Sequence, residues 1–462
     1  MSISLILDNN GIIQKSRDAR KEYGQARENE QADLNKVSEW IEKQANGNSE
    51  DSNNLPRTEE TKPYLPNGFT RDENTNLDNG LVIRDGTGNE YVWVEVPINT
   101  EEVYKSSGLN IIAFSEEEFA SIKTDLVNYA KGYREDGWDD TWYSGCGIAD
   151  LDTYTDKYNK MLKSVYQNGG FWIGRYEIGI DENTARSFGS DYSTEHPTTG
   201  QTPVIKKDKI PYNWIRCSQA ESLAETFAPS GYTSSLMFGL QWDLVCKHLE
   251  TKGTNPGTTA DSLQNAIKVN STDWANYANA SFDITNTDAM YSEDSGVSWK
   301  KISEEADKKY TKVSNEKVLL TTGADIRNSM LNICDFAGNV LEWTLEKASY
   351  ASYPCTFRGG NYISNRGPAS YRNDIFSTIS PTSTGQRCWL PCHTLLKQHW
   401  VLVAKQNLTQ AKAIAINRVN TLGIDKMLYD VWVKLTHHYF CKRYICYKIM
   451  KLAKSIEKST LL

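Results

Sequence analysis

The chain has 462 residues, a formal net charge of −8 and 39% hydrophobic residues, with an aromatic set dominated by 25 Tyr and 13 Trp. The charge is uneven: after Arg387 there are 12 Lys+Arg and 3 Asp+Glu, which leaves 39 basic and 56 acidic side chains, a net of −17, on residues 1–387. Such an acidic body argues against a duplex nucleic-acid partner, no apolar run reaches the ~18 residues of a membrane span, and nine Cys are too few for a disulfide scaffold of this length.

The N-terminal Met1–Leu7 stretch is apolar, and Asp8-Asn9-Asn10-Gly11 interrupts it. Beyond that turn, Ala19, Tyr23, Ala26, Leu34, Val37 and Ile41 recur near the helical period with charged residues between them. The spacing predicts one long amphipathic helix from about residue 12 to residue 45. Asn46-Gly47-Asn48-Ser49 stops it, so residues 1–46 form a first unit. This stretch resembles the part of a type IV pilin or pseudopilin-like stalk that follows its hydrophobic helix. The resemblance implies that the sequence starts inside a longer one, that membrane contact runs only through the missing helix, and that the protein sits on a bacterial cell surface or outside the cell. Read without it, the helix is an ordinary soluble one and the location is cytoplasmic or virion-associated.

From Gly47 the chain is polar, acidic and rich in Asn, Ser, Glu and Pro, the composition of a flexible linker, bounded here at residues 47–79. A single domain is expected over residues 80–387. Its opening, residues 81–97, sets two β-branched and aromatic runs around Asp85-Gly86-Thr87-Gly88-Asn89, a β-hairpin pattern. Residues 116–133 read as a helix and residues 170–179 as a strand. Residues 218–226 and the stretch from Gln241-Trp242-Asp243 to Leu249 read as further helices. Between Thr251 and Thr322 Ser, Thr, Asn and Asp dominate, which predicts long surface loops.

The densest pattern runs from Asn332 through Asp335-Phe336-Ala337-Gly338-Asn339-Val340-Leu341-Glu342-Trp343-Thr344, then Arg358-Gly359-Gly360, to Gly385-Gln386-Arg387. Gly338-Asn339 is a turn signal between apolar runs, Val340, Leu341 and Trp343 are strand or core residues, and the paired glycines permit close backbone approach. The stretch resembles the C-terminal core of the formylglycine-generating-enzyme (sulfatase-modifying factor) family, a branch of the C-type-lectin-like fold. The opening hairpin, the strand at 170–179 and the Gln241-Trp242-Asp243 helix stand where that family has similar elements. The resemblance implies an α+β, C-type-lectin-like domain, preceded here by the long N-terminal α-helix. Asp335, Gly338, Asn339, Glu342, Trp343, Arg358, Gly359, Gly360 and Arg387 would then build its scaffold.

The same resemblance implies where catalysis would sit. The family's oxygenases bind copper through two cysteines just after the Arg-Gly-Gly motif, and soft thiolates are what Cu(I) requires. Those positions fall here on Ser364 and Ala369. Cys355 stands at the wrong offset and reads as a packed thiol. The body holds only His196 and His248, with no Walker, nucleophile-elbow or H-E-x-x-H motif. Cys388-x3-Cys392 and Cys441-x4-Cys446, with their neighbouring His, are spaced too loosely for a zinc motif. No catalytic residue, cofactor or metal is therefore expected. Two alternatives stay open: a formylglycine-generating oxygenase-like enzyme acting on a sulfatase cysteine, and a structural pilus or pseudopilus subunit.

Residues 361–377 combine rigid aromatics with short hydrogen-bonding side chains, the composition of adaptable recognition loops. The expected ligand contacts are Asn361, Tyr362, Ser364, Asn365, Tyr371, Asn373, Asp374 and Phe376, and the expected partner is an unknown protein or carbohydrate. The stretch resembles the variable region of bacterial and phage proteins diversified by retroelements. The function read from the sequence is accordingly adhesin- or receptor-like: a non-enzymatic display of a diversified lectin-fold surface. Residues 388–462 are basic, hold four of the six His and share no pattern with the body. They read as frameshifted or foreign, or else as a small helical domain.

Overall fold

The computed structural model describes residues 63–97, 103–106, 114–186, 199–229, 232–253, 260–365, 367–375 and 384–390. The expected N-terminal helix, the first part of the linker and the tail beyond Leu390 lie outside them. The chain divides into two units, Met1–His393 and Thr394–Leu462, and every described residue belongs to the first.

Helix α1 (Glu116–Tyr129) starts at Ser115, whose hydroxyl accepts from the Glu118 N–H while the Glu118 carboxylate accepts from the Ser115 N–H, a reciprocal cap. Helix α2 (Leu151–Asn168) is capped by Asp150 and ends on Gly169 in the left-handed conformation. It buries a stripe of Tyr154, Tyr158, Met161, Leu162 and Val165. Helices α3 (Cys217–Ala224), α4 (Gly239–Lys252) and α5 (Ala260–Lys268) follow. The first N–H groups of α4 are met by a residue far away in sequence: Asp140 accepts from Gly239 at 2.7 Å and from Leu240 at 3.2 Å. A carboxylate at that position complements the helix dipole.

The strands that frame the site are β1 (Thr70–Arg71), β2 (Val82–Arg84), β3 (Glu90–Glu95), β4 (Trp138–Asp139), β5 (Gly170–Gly174), β6 (Ser235–Leu236), β7 (Leu341–Ala348), β8 (Cys355–Arg358), β9 (Arg372–Ile375), β10 (Thr384–Gln386) and β11 (Cys388–Leu390). One six-stranded sheet has the order β1-β2-β3-β5-β11-β6. Its centre is the antiparallel β3–β5 pair, where Trp93 lies opposite Trp172 with the rings edge to face at 5.0 Å. The second sheet has the order β9-β8-β7-β10, with β4 also on β7; β10 runs parallel to β7 and the other pairs are antiparallel. The whole is a mixed α/β architecture of several small sheets, and no described helix is long and apolar enough to cross a membrane.

Three expectations are corrected. The body begins before residue 80, because Leu65, Phe69 and Leu77 are buried in the main core and β1 pairs with β2, so the last part of the expected linker is structured. The body also continues past Arg387: β11 pairs with Trp172 and Ile173 on one side and with Ser235 and Leu236 on the other, joining two strands that would otherwise expose their backbone edges. Thirdly, residues 260–322 are not a run of loops. They hold α5, an antiparallel pair (Phe282–Ile284 with Tyr310–Lys312) and a three-stranded sheet of Lys300–Lys301, Met290–Ser292 and Leu319–Leu320. Ile284, Ala289, Tyr291, Ile302, Val318 and Leu320 form a separate small core there. A few well-placed apolar residues suffice for such a satellite, while the abundant polar ones occupy its turns.

Candidate ligand-binding surface

Strands β8 and β9 pair antiparallel with Arg358 opposite Arg372, so residues 359–371 form a loop whose two stems each end in an arginine. Both side chains turn inward and are fully buried. Arg358 donates to Asp243 at 2.8 Å and to Glu346 at 3.3 Å. Arg372 donates to the same two carboxylates, at 2.9 and 3.1 Å to Asp243 and at 3.1 and 3.3 Å to Glu346. Arg134 adds a third guanidinium, 3.2 Å from Asp140, 3.3 Å from Asp243 and 3.4 Å from Glu346. Three cations thus face three carboxylates. Burial works to raise Glu346, but the arginines outweigh it and hold that carboxyl below its ordinary value; at Asp243 and Asp140 burial wins and raises them.

The loop between the stems is shaped by groups outside it. Arg358 donates to the carbonyls of Ser370 and Tyr371, Trp242 Nε1 to Ala369 O at 2.9 Å, and the Tyr277 hydroxyl to Gly367 O at 2.7 Å. Ala278 N–H donates to Ser364 O, while Asn339 O and Ile267 O receive the Tyr362 and Ser370 N–H groups. Ser271 Oγ receives Ala369 N–H at 2.9 Å. Gly360 lies so close to its surroundings that a Cβ there would stand 2.1 Å from the Tyr277 ring and 2.4 Å from Gly367 O.

The structure separates the residues expected to meet a ligand. Tyr362 is 0% exposed and packs with Leu319 and Val340, and Asn361 is also buried. Both therefore belong to the support of the loop rather than to its outer surface, which corrects the expectation. Asn365 and Tyr371 are exposed and Ser364 is partly so; Ile363, which composition did not mark, is exposed beside them. The Tyr371 ring lies over Gly367, where a Cβ would come within 3.0 Å of it. Asn373 and Asp374 are half-buried neighbours on β9, so strand alternation points them to opposite faces of the sheet. Asn373 lies opposite Phe357, and Asp374 lies opposite Thr356 on the face of the buried arginines. Phe376 lies outside the described residues. Two flanking segments also escaped the sequence reading: Asn279 lies next to Ala278, and exposed Asn315 donates its N–H to Ala278 O at 2.7 Å. Nothing in their polar composition distinguished them from ordinary loop residues.

The remaining motif residues form a second buried centre beneath the loop. Gly338 (φ 73°) and Asn339 (φ 52°) both take the left-handed conformation. Asn339 uses its amide fully: Nδ2 donates to Glu177 at 2.9 Å and Leu320 O at 3.2 Å, and Oδ1 accepts from Asn276 and Leu320 N–H. Arg387 donates to both oxygens of Glu342, to Gly174 O and to Cys334 O, all within 2.7–3.2 Å. Trp343 Nε1 donates to Ile215 O, and Asp335 accepts from Gly323 N–H. One arginine thus serves three buried carboxyls, Glu177, Asp335 and Glu342. Burial raises all three, Asp335 to about 7.

At the positions where the resembled oxygenases carry cysteines, Ser364 is partly exposed and Ala369 is buried. Cys146, Cys217, Cys246, Cys334 and Cys355 are free and buried, and burial pushes the Cys146 and Cys334 thiols up to about 11. Among the described residues no group of three or more His, Cys, Asp or Glu is placed to hold a metal ion. No family model and no curated protein matches the chain. Among solved structures, Treponema denticola variable protein 1 is similar to it at 12% identity and a TM-score of 0.25, over 48% of this chain and 85% of that one.

Proposed function

We propose that the chain is a non-enzymatic ligand-binding protein, adhesin- or receptor-like, whose C-type-lectin-like body of the formylglycine-generating-enzyme type displays a recognition loop at residues 359–371. The observation that carries this reading is the division within the loop. Its backbone is fixed by Arg358, Trp242, Tyr277, Ala278 and Ser271, while the side chains of Ile363, Asn365 and Tyr371 are exposed. Rigid backbone under exposed polar and aromatic side chains is what preorganised recognition needs. Because these framework contacts run to main-chain atoms of the loop, exchanging an exposed side chain does not remove them, which also supports a diversified surface. Ser364 and Ala369 offer no thiolate for copper, which supports a binding rather than an oxidising role. Display on a cell surface, through a membrane helix preceding the expected pilin-like N-terminal stalk, is part of the same proposal.

The test compares the full-length chain with a variant carrying Ile363→Ala, Asn365→Ala and Tyr371→Ala on arrays of glycans and bacterial surface proteins. A ligand held by the wild type and weakened about tenfold or more by the variant, at unchanged Tm, is the expected result. A ligand indifferent to these three substitutions, or oxidation of a cysteine peptide by copper-loaded protein, overturns the reading. Sequences of the locus across strains check diversification separately: codons 365 and 371 vary while codon 362, whose ring is in the core, stays aromatic.

A further inference from the structure

Lys312 ends the strand Tyr310–Lys312 of the small insert, and its side chain is closed off from solvent. Its ammonium donates to three main-chain carbonyls, Tyr277 O at 2.8 Å, Ala280 O at 2.9 Å and Ala278 O at 3.2 Å. Three donors meet three acceptors, so the headgroup is satisfied without a carboxylate. The Phe282 ring lies 5.9 Å away. The charged groups around the cage are Glu316 and Arg327, the latter stacked on the same Phe282 ring at 3.7 Å, while Asp283 on the facing strand is engaged by Lys309. Burial outweighs the attraction of Glu316 and pushes Lys312 down to about 8.

A buried ammonium with no carboxylate among its hydrogen-bond partners is costly unless those hydrogen bonds hold something in place. The caged segment is the one on which the loop rests. Ala278 N–H donates to Ser364 O, the Tyr277 hydroxyl donates to Gly367 O, and Asn315 N–H donates to Ala278 O. Three carbonyls turned toward one point repel one another unless a cation sits between them. Lys312 supplies that cation from within the chain.

We infer that Lys312 is a positioning residue for the ligand surface, an internal cation that draws the carbonyls of residues 277–280 together and so fixes the platform under Ser364 and Gly367. Its consequence for binding rests on the ligand-binding reading above; its effect on the platform does not. In the full-length chain, Lys312→Met keeps the apolar stem and removes the ammonium, and Lys312→Ala also opens a carbonyl-lined cavity. Hydrogen exchange at the Ala278, Ala280 and Asn315 amides is expected to quicken about tenfold or more in both variants, the scale set by losing a buried donor, with β3 and β5 unchanged. Propylammonium restores protection to Lys312→Ala, and tetramethylammonium, which has no N–H, does not. Should Lys312→Ala not fold alone, refolding it with propylammonium is the same test. Wild-type protection in Lys312→Met, or equal rescue by tetramethylammonium, overturns the inference. A rescued platform in a protein that binds nothing on the arrays leaves this role of Lys312 standing and sinks the ligand reading instead.

Discussion

Replacing Asp243 with asparagine tests whether the buried charge cluster holds the loop stems. Asp243 is the point where the three arginines meet: Arg358 donates to it at 2.8 Å, Arg372 at 2.9 and 3.1 Å, and Arg134 lies at 3.3 Å, with Asp243, Arg358 and Arg372 side chains wholly out of solvent. The amide keeps the shape but removes the charge, leaving three guanidiniums on the two carboxylates of Asp140 and Glu346. Removing one partner from a buried ionic network costs roughly 3–5 kcal/mol, a large share of the ~5–15 kcal/mol that stabilises a domain. At about 2–4 °C per kcal/mol, the Tm measured by calorimetry falls roughly 6–20 °C. Adding Arg372→Leu restores the charge balance and recovers at least about 1 kcal/mol of that loss, a coupling a double-mutant cycle reads directly. A single variant that melts within 2 °C of the wild type, on an estimate of at least about 6 °C, refutes the reasoning, and so does a cycle with no coupling.

Asp335 gives a pH dependence. Its carboxyl sits at about 7 in the fold against 3.8 in the open chain, so the stabilisation tied to its proton is full below the unfolded value and lost as pH rises through about 7. Asp335→Asn imitates the protonated form, so its Tm gains on the wild type between pH 5 and pH 8; a constant difference over that range (~3 units) contradicts the assignment. Truncation tests the end of the body. Stopping after Arg387 deletes β11 and leaves both β5 and β6 without the strand between them, lowering stability by about 2–4 kcal/mol of lost sheet hydrogen bonds, whereas stopping after His393 preserves β11; equal Tm values for the two would disprove the role of that strand.

The sequence made the scaffold more legible than the site, for reasons visible in single residues. Gly338-Asn339 was readable because two left-handed residues in succession need such side chains, and the hairpin around Asp85–Asn89 because its turn is local. Helix α2 is hard to read although Asp150 and Gly169 cap it, because its buried stripe includes Tyr154 and Tyr158, whose hydroxyls weaken the apolar pattern. The loop's pins were illegible because they join residues remote in sequence, such as Trp242 to Ala369 and Tyr277 to Gly367. Composition alone could not separate Tyr362, in the core, from Tyr371, over Gly367. Lys312 was hidden for the same reason: a lysine among Thr, Ser and Asn reads as solvated until the carbonyls it faces are known.

Closing a loop from an Arg358–Arg372 pair costs conformational entropy, and the way that cost is offset decides what the loop is free to do. Had the exposed side chains supplied the stabilising contacts, each would be fixed by its role in folding. The described contacts come instead through main-chain groups, to Trp242, Tyr277, Ser271 and the buried arginines, and through internal side chains such as Tyr362. Stability and recognition are thereby separable along a few residues. Substitutions at Asp243 or Tyr362 are expected to move both, and those at Asn365 or Tyr371 to move recognition alone. A surface able to change without unfolding must be built in this order, with the cations and aromatics beneath fixing the backbone before any exposed residue is chosen.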